Sequence, residues 1–345
     1  MEGFLLIKVK FFSVLFIILM VFSSVGSASA TAISGNVNDS HEIVVDNPTI
    51  IKIQKAVNGA KDNDIILING SPTSYKMGDT IHCDKILTIM GKNCTINKLN
   101  WECSKNITFK NITFNGNFAE CGGAINSKNN VNVENCSFVE NSAKGAVVSQ
   151  CEGGAIYSEG SVNISNSEFI RNNASDYGGA IYSEGNIFID GSLFKDNTAS
   201  DNDGGAVYSD GGIVNITCSE FEGNSAYEDG GAIYSDKNVL IDGSYFKTNS
   251  VFASGSFPGL SLYGKGGAIY CEDYVNISNS NFIDNFAYED GGAVWSNDCV
   301  KLSGSYFTSN SADDDGGAVW SDGSVEVNGC SFVNNSASGA SVSQC

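Results

Sequence analysis

One frame recurs through most of this chain and limits what it can fold into. A Gly-Gly-Ala-Ile/Val tetrad opens the frame and Phe-x-x-Asn closes it, as in residues 178–197, GGAIYSEGNIFIDGSLFKDN. Gly-Gly-Ala begins at Gly122, Gly153, Gly178, Gly204, Gly230, Gly266, Gly291 and Gly316. Phe-x-x-Asn begins at Phe114, Phe138, Phe169, Phe194, Phe221, Phe246, Phe282, Phe307 and Phe332. Successive tetrads are 25 or 26 residues apart, with two longer steps of 31 and 36. Each Phe follows its Gly by 16 residues, once by 17, so the added length falls between an Asn and the next Gly-Gly. A constant core with insertions at one corner is the mark of stacked coils, whose loops project without disturbing the stack.

A second pattern lies inside each row. Apolar residues stand seven and five positions before the Phe, as in Val162/Ile164, Ile187/Ile189, Val239/Ile241 and Val300/Leu302, while the residue between them varies through Asn163, Phe188, Leu240 and Lys301. Period-two alternation with a tolerant middle position predicts a strand with one buried face. Each row has room for three short strands: Ala-Ile/Val-Tyr-Ser, Val-x-Ile and the Phe segment. Stacked in register at about 4.8 Å, about eleven such coils make a parallel β-helix on the order of 50 Å long. The Phe column then fills the interior, the Asn column forms a ladder at a turn, and Gly-Gly turns a tight corner with positive φ.

The ends of the chain read differently. Lys8 and Lys10 precede an apolar run over 11–22 and small residues ending Ala28-Ser29-Ala30, which predicts a signal peptide over 1–30 and a secreted or cell-surface protein. The later chain has no run long and apolar enough to span a bilayer. Residues 31–48 read as a polar lead-in. Over 49–62, Ile50, Ile53, Val57 and Ala60 share one helical face behind Thr49 as N-cap, and strand-like runs follow at 64–69, 86–90 and 94–97. Residues 49–100 therefore read as an N-terminal cap with the first irregular coils, and 101–345 as the repeats. The end, NSASGASVSQC, matches residues 141–151, NSAKGAVVSQC, after which the earlier copy goes on to Gly153-Gly154. The sequence thus stops mid-repeat, and more coils or an anchor are expected beyond it.

A formal charge of −20 argues against nucleic acid or an anionic membrane as partner. The 11 cysteines include no C-x-x-C pair, which argues against a zinc or thioredoxin-like motif. Cys121 and Cys151 both precede a Gly-Gly and fall on neighbouring coils, which makes them the candidate disulfide. Cys136, Cys271 and Cys330 replace small residues of the frame.

The GGA[I/V]…FxxN rows resemble the repeat of chlamydial polymorphic outer-membrane proteins, and also the adhesin-like proteins of methanogenic archaea. Residues 53–68, IQKAVNGAKDNDIILI, resemble the start of pectin-lyase-like β-helix domains in the latter. The resemblance covers about residues 50–345. It implies an all-β, right-handed single-stranded parallel β-helix with a role in attachment at the cell surface.

Three features could carry function. Tyr157, Tyr182, Tyr208, Tyr234, Tyr270, Trp295 and Trp320 hold one frame position in seven rows, beside Ile/Val of opposite parity. Because buried hydroxyls need partners and β-branched residues do not, Ile/Val are expected inward and the aromatics outward, offering flat faces to a glycan. Self-stacking that stiffens the rod is the other reading. The insertion over 250–265, with Phe257 and Tyr263, is the second candidate, as a loop on a rigid scaffold. Acidic residues before the Gly-Gly, among them Asp203, Asp229, Asp290 and Asp315, form a repeated stripe of solvated turns or weak calcium sites. No other cofactor is called for. Arg171, the one arginine, is a lone candidate base, and clustered carboxylates that break the repeat, as a polysaccharide hydrolase needs, are not visible. The expected function is a non-catalytic adhesin-like protein that binds glycan or a surface protein of another cell. A polysaccharide lyase or hydrolase, or a structural surface-layer spacer, are the alternatives.

Overall fold

A computed structural model describes residues 40–73, 76, 78–144, 153–252 and 264–339. The proposed signal peptide lies outside the described residues. Every strand pairing within these residues is parallel, and homologous positions of successive rows pair in register, as in Val162↔Ile187, Phe138↔Phe169 and Tyr157↔Tyr182. The rows are therefore coils of one solenoid.

Three sheets run along it, but not divided as the sequence suggests. The Val-x-Ile and Phe strands of each coil, such as Val162–Ser165 and Glu168–Ile170, belong to one long sheet. A single left-handed residue between them, Asn166 at φ 47 or Gly191 at φ 55, bends the chain without ending the sheet. The Ile-Tyr-Ser strands form the second sheet, and two-residue strands after the Asn, such as Asn173–Ala174, form the third. The "polar lead-in" also needs correction: Glu42–Asp46 is a strand that pairs with Ile65–Asn69. Its apolar Ile43 and Val45 were too few to show an alternation.

The core is columnar. Phe114, Phe138, Phe169, Phe194, Phe221, Phe246, Phe282 and Phe307 are all fully buried. Neighbouring rings stack with centroids 4.6–4.9 Å apart and planes within 10°. That spacing is the strand spacing, so the sheet sets the stack. Each ring contributes about 1.5–3 kcal/mol by leaving water. The Asn after it is equally buried. Asn224 donates from Nδ2 to the Phe194 carbonyl (3.0 Å) and to Asn249 Oδ1 (2.9 Å), and its Oδ1 accepts from the Asn197 backbone N–H (3.1 Å). The same set recurs up the column, which satisfies the polar groups of an otherwise orphaned turn. In the Gly-Gly corner only the first glycine has positive φ, 62° at Gly178. The second is needed for closeness: a Cβ on Gly179 would sit 2.0 Å from the Gly205 carbonyl oxygen.

One end is closed by the helix Ile50–Gly59. The Thr49 side chain caps it by accepting from the Lys52 N–H (3.3 Å), and Ile53 and Val57 are buried against the first coils. Lys85 Nζ donates to the Val57 and Asn58 carbonyls at the helix C-terminus, where the dipole favours a cation. The last described coil leaves Val325, Val327 and Phe332 exposed at 43–51%.

Candidate functional site

The aromatic column lies on the outer side of the second sheet. Ile156, Ile181, Val207, Ile233, Ile269 and Val294 are fully buried beneath it, so the parity expected from the sequence holds. The faces are nevertheless not offered to a ligand, and that expectation is corrected. Tyr157, Tyr182, Tyr208, Tyr234, Tyr270, Trp295 and Trp320 stack on one another with centroids 4.3–5.3 Å apart and planes within 21°. Tyr182, Tyr270 and Trp295 keep only 4–8% exposure. A row of rings at strand spacing consumes its own faces. Tyr177 packs over Tyr208, and Lys265 Nζ stands 4.9 Å from the centre of the Trp295 ring.

Carboxylates flank the ladder. Tyr157 donates to Glu184 Oε1 (2.8 Å), Tyr182 to Asp210 Oδ2 (2.7 Å) and Tyr270 to Glu272 Oε1 (2.7 Å). Burial, reinforced by these acceptors, raises the three phenols above the ordinary range. On the other flank runs the acid stripe before the Gly-Gly. Its side chains are engaged as turn caps: Asp203 Oδ1 accepts from the Asp229 N–H (2.8 Å), Asp229 Oδ1 from the Lys265 N–H (2.7 Å), and Asp290 Oδ1 from the Asp315 N–H (3.0 Å). Burial pushes Asp203 up to about 7 and Asp229 up to about 6. Among the described residues no group of three or more His, Cys, Asp or Glu side chains converges as a metal site would require. Arg171 pairs with Glu140 of the preceding coil (2.8 Å).

Cys136 and Cys330 stand where other coils have Ser. Ser305 N–H donates to Cys330 Sγ (3.4 Å), as Ser167 N–H donates to Ser192 Oγ (3.1 Å). Cys121 is disulfide-bonded. Cys151, with Phe257 and Tyr263 of the insertion, lies outside the described residues.

The long sheet presents a different outer surface. On it Asn163 Nδ2 donates to Asn132 Oδ1 (2.8 Å), and Phe188 stands 38% exposed in a shallow groove of about 440 Å³. Further along, Tyr245 and Tyr306 are 53% and 57% exposed. They pair in register with Asn281 between them, Tyr245↔Asn281↔Tyr306. Two rungs place them about 10 Å apart along the axis. With only Asn281 in the intervening rung, neither ring stacks on an aromatic neighbour among the described residues. The sequence carried this signal at the position before the Phe, where Glu168, Leu193 and Glu220 give way to Tyr245 and Tyr306. It was hidden because a residue that varies from row to row makes no column.

A right-handed β-helix region model matches residues 187–345. The fold is a right-handed parallel β-helix. The Chlamydia polymorphic membrane protein repeat matches residues 111–128, 135–159 and 166–184. Each of those matches runs from a Phe-x-x-Asn through the next Gly-Gly-Ala-Ile, the stretch that forms the Asn ladder, the third sheet and the Gly-Gly corner. No curated protein matches the chain. No described helix is long and apolar enough to cross a membrane.

Proposed function

We propose that this β-helix is a non-catalytic, adhesin-like rod, secreted or displayed at a cell surface, that binds glycan on the outer face of its long sheet. The polymorphic membrane protein repeats support an outer-membrane or surface setting, and the resemblance to methanogen adhesin-like proteins supports an archaeal source. The observation that carries the binding reading is the pair Tyr245 and Tyr306, whose rings are exposed, unstacked and two rungs apart. Flat apolar rings with a polar edge suit the faces of sugar rings, and Asn281 between them supplies both a donor and an acceptor. A net charge of −20 favours neutral over anionic glycans. The non-catalytic reading is supported by the acidic stripe, whose Asp203, Asp229 and Asp290 carboxylates are spent on backbone N–H groups.

The test is a panel of immobilised neutral and anionic polysaccharides. The parent chain should retain a neutral polymer, Tyr245→Ala and Tyr306→Ala should each weaken retention about tenfold, and Tyr208→Ala should leave it unchanged. Stacked faces of this kind are worth about 1–3 kcal/mol each where measured on nucleobases. Equal loss from the Tyr208 substitution, or none from the other two, would refute the assignment of this face.

A further inference from the structure

The second sheet begins under the helical cap with Asp79–Cys83 and Leu99–Cys103, which pair Cys83↔Cys103 in register. In later coils this position is Ser127, Ser158, Ser183, Ser209, Ser235, Ser296 and Ser321, with Cys271 the other exception. Two adjacent cysteines therefore replace a serine ladder at one end only. Both are 2–3% exposed, both are free thiols, and both border a groove of about 1130 Å³ between the helix and this sheet. Ile51, Lys55, His82, Glu102 and Lys128 form the groove's walls. Neighbouring parallel strands lie about 4.8 Å apart, inside the roughly 4.4–6.8 Å Cα window of a disulfide.

We propose that Cys83 and Cys103 are a redox-convertible pair, closed to a disulfide by thiol–disulfide exchange with a small disulfide that enters the groove. The Cys83 thiol donates to the Lys85 carbonyl (3.4 Å) and lies beside Cys103 in the next rung. The neighbouring thiol draws Cys83 below the usual thiol range and, with burial, pushes Cys103 above it. Both thiols border the groove, so either can attack and the other resolve; with Cys83 attacking, two exchanges close the bond. The Cys83 thiolate attacks one sulfur of RS–SR, forming Cys83–S–SR and releasing RS⁻. Cys103 then loses its proton and attacks the Cys83 sulfur, releasing the second RS⁻. The two protein thiols are oxidised by two electrons, the small disulfide is reduced to two thiols, and the two thiol protons pass to the departing RS⁻ groups.

Closure staples the cap to the coil stack. The Cys83 strand carries the helix: Gln54 Nε2 donates to the His82 carbonyl (2.9 Å), its Oε1 accepts from the His82 N–H (2.9 Å), and Lys85 holds the helix C-terminus. A bond from Cys83 to the next rung ties that strand to the rest of the rod.

The test treats the full chain with oxidised glutathione, alkylates the remaining thiols after unfolding, and maps tryptic peptides. Residues 77–85 should appear joined to residues 99–105, and reductant should separate them. Cys103→Ser should instead accumulate glutathione on Cys83. Serine is the residue of this column elsewhere, so the variant keeps the frame. In the oxidised chain, amide exchange within Ile50–Gly59 should slow by roughly tenfold, as expected when a cross-link restrains local opening. Separate alkylation of both cysteines after oxidation, Cys83 joined to some other cysteine, or a cross-link that leaves helix exchange unchanged would each overturn the proposal.

Discussion

Replacing Asn224 by Ala tests the Asn ladder where it is best sealed. The side chain is fully buried and makes four contacts. It donates to the Phe194 carbonyl (3.0 Å) and Asn249 Oδ1 (2.9 Å), and it accepts from the Asn197 N–H (3.1 Å) and Asn197 Nδ2 (2.9 Å). Two of the four partners are covered elsewhere. Asn249 Oδ1 still accepts from the Asn224 N–H (3.1 Å), and Asn197 Nδ2 still donates to the Phe169 carbonyl (2.9 Å). The Asn197 N–H and the Phe194 carbonyl lose this partner outright. At about 1–3 kcal/mol for each of these two buried groups left unpaired, the loss comes to about 2–6 kcal/mol. Asn335 makes the equivalent bonds to Phe307 and Asn310, but it is half-buried in the last described coil, where water can substitute. Asn335→Ala should therefore cost about 1 kcal/mol. Because a solenoid's stability is a sum over neighbouring coils, a global melt blurs such differences. Native-state hydrogen exchange, read at amides of the coils on either side of each site, resolves them. Equal costs at the two sites, or less than about 1 kcal/mol at Asn224, would show that the ladder does not hold the coils together.

The buried acids predict a pH dependence of stability. Asp203 and Asp229 have folded values of about 7 and about 6, above the ordinary carboxylate range, so the folded chain holds protons that the unfolded chain gives up. Their contribution is complete below about pH 4 and is lost as pH rises through about 6–7. Thermal melts should show a higher midpoint at pH 5 than at pH 8, and Asp203→Asn should flatten that difference; a midpoint that rises between these values in the parent would contradict the assignment. In the Gly-Gly corner, Gly179→Ala drives a Cβ to 2.0 Å from the Gly205 carbonyl oxygen of the next coil and 2.6 Å from the Thr198 backbone, and should cost more than about 3 kcal/mol by denaturant unfolding. Gly59→Ala, with open space at the helix end, should be neutral or slightly stabilising, so equal effects at the two glycines would count against the close-packing argument.

The repeat made most of the fold legible. A position that must be Phe in nine rows declares its burial, and one that must be Asn declares a turn whose polar groups have no other partner. What stayed hidden was set by geometry between coils. Whether two runs share a sheet depends on one left-handed residue, Asn166 in one coil and Gly191 in the next, and no single residue type marks it. The strand Glu42–Asp46 is defined by its partner Ile65–Asn69 rather than by its own composition. The aromatic column faces outward, as its parity predicts, but its rings cover one another's faces. Parity along a strand fixes which way a ring points, but only the distance to the next coil decides whether its face is free.

That distinction indicates where a solenoid can place function. At a spacing of about 4.8 Å, any aromatic column repeated in every coil must stack on itself, so a conserved-looking ladder is structural by necessity. A ring becomes available only when its neighbours in the column are something else. Tyr245 and Tyr306 meet that condition through Asn281 and Glu220, and Phe188 meets it through Asn163 and Asn215. The same logic separates Cys83 and Cys103 from Cys136 and Cys330: the first two adjoin each other, while the latter each neighbour Ser305 or Ser167 and serve in its place. In this β-helix the frame supplies stability coil by coil, and the exposed, unstacked rings are residues that depart from their column.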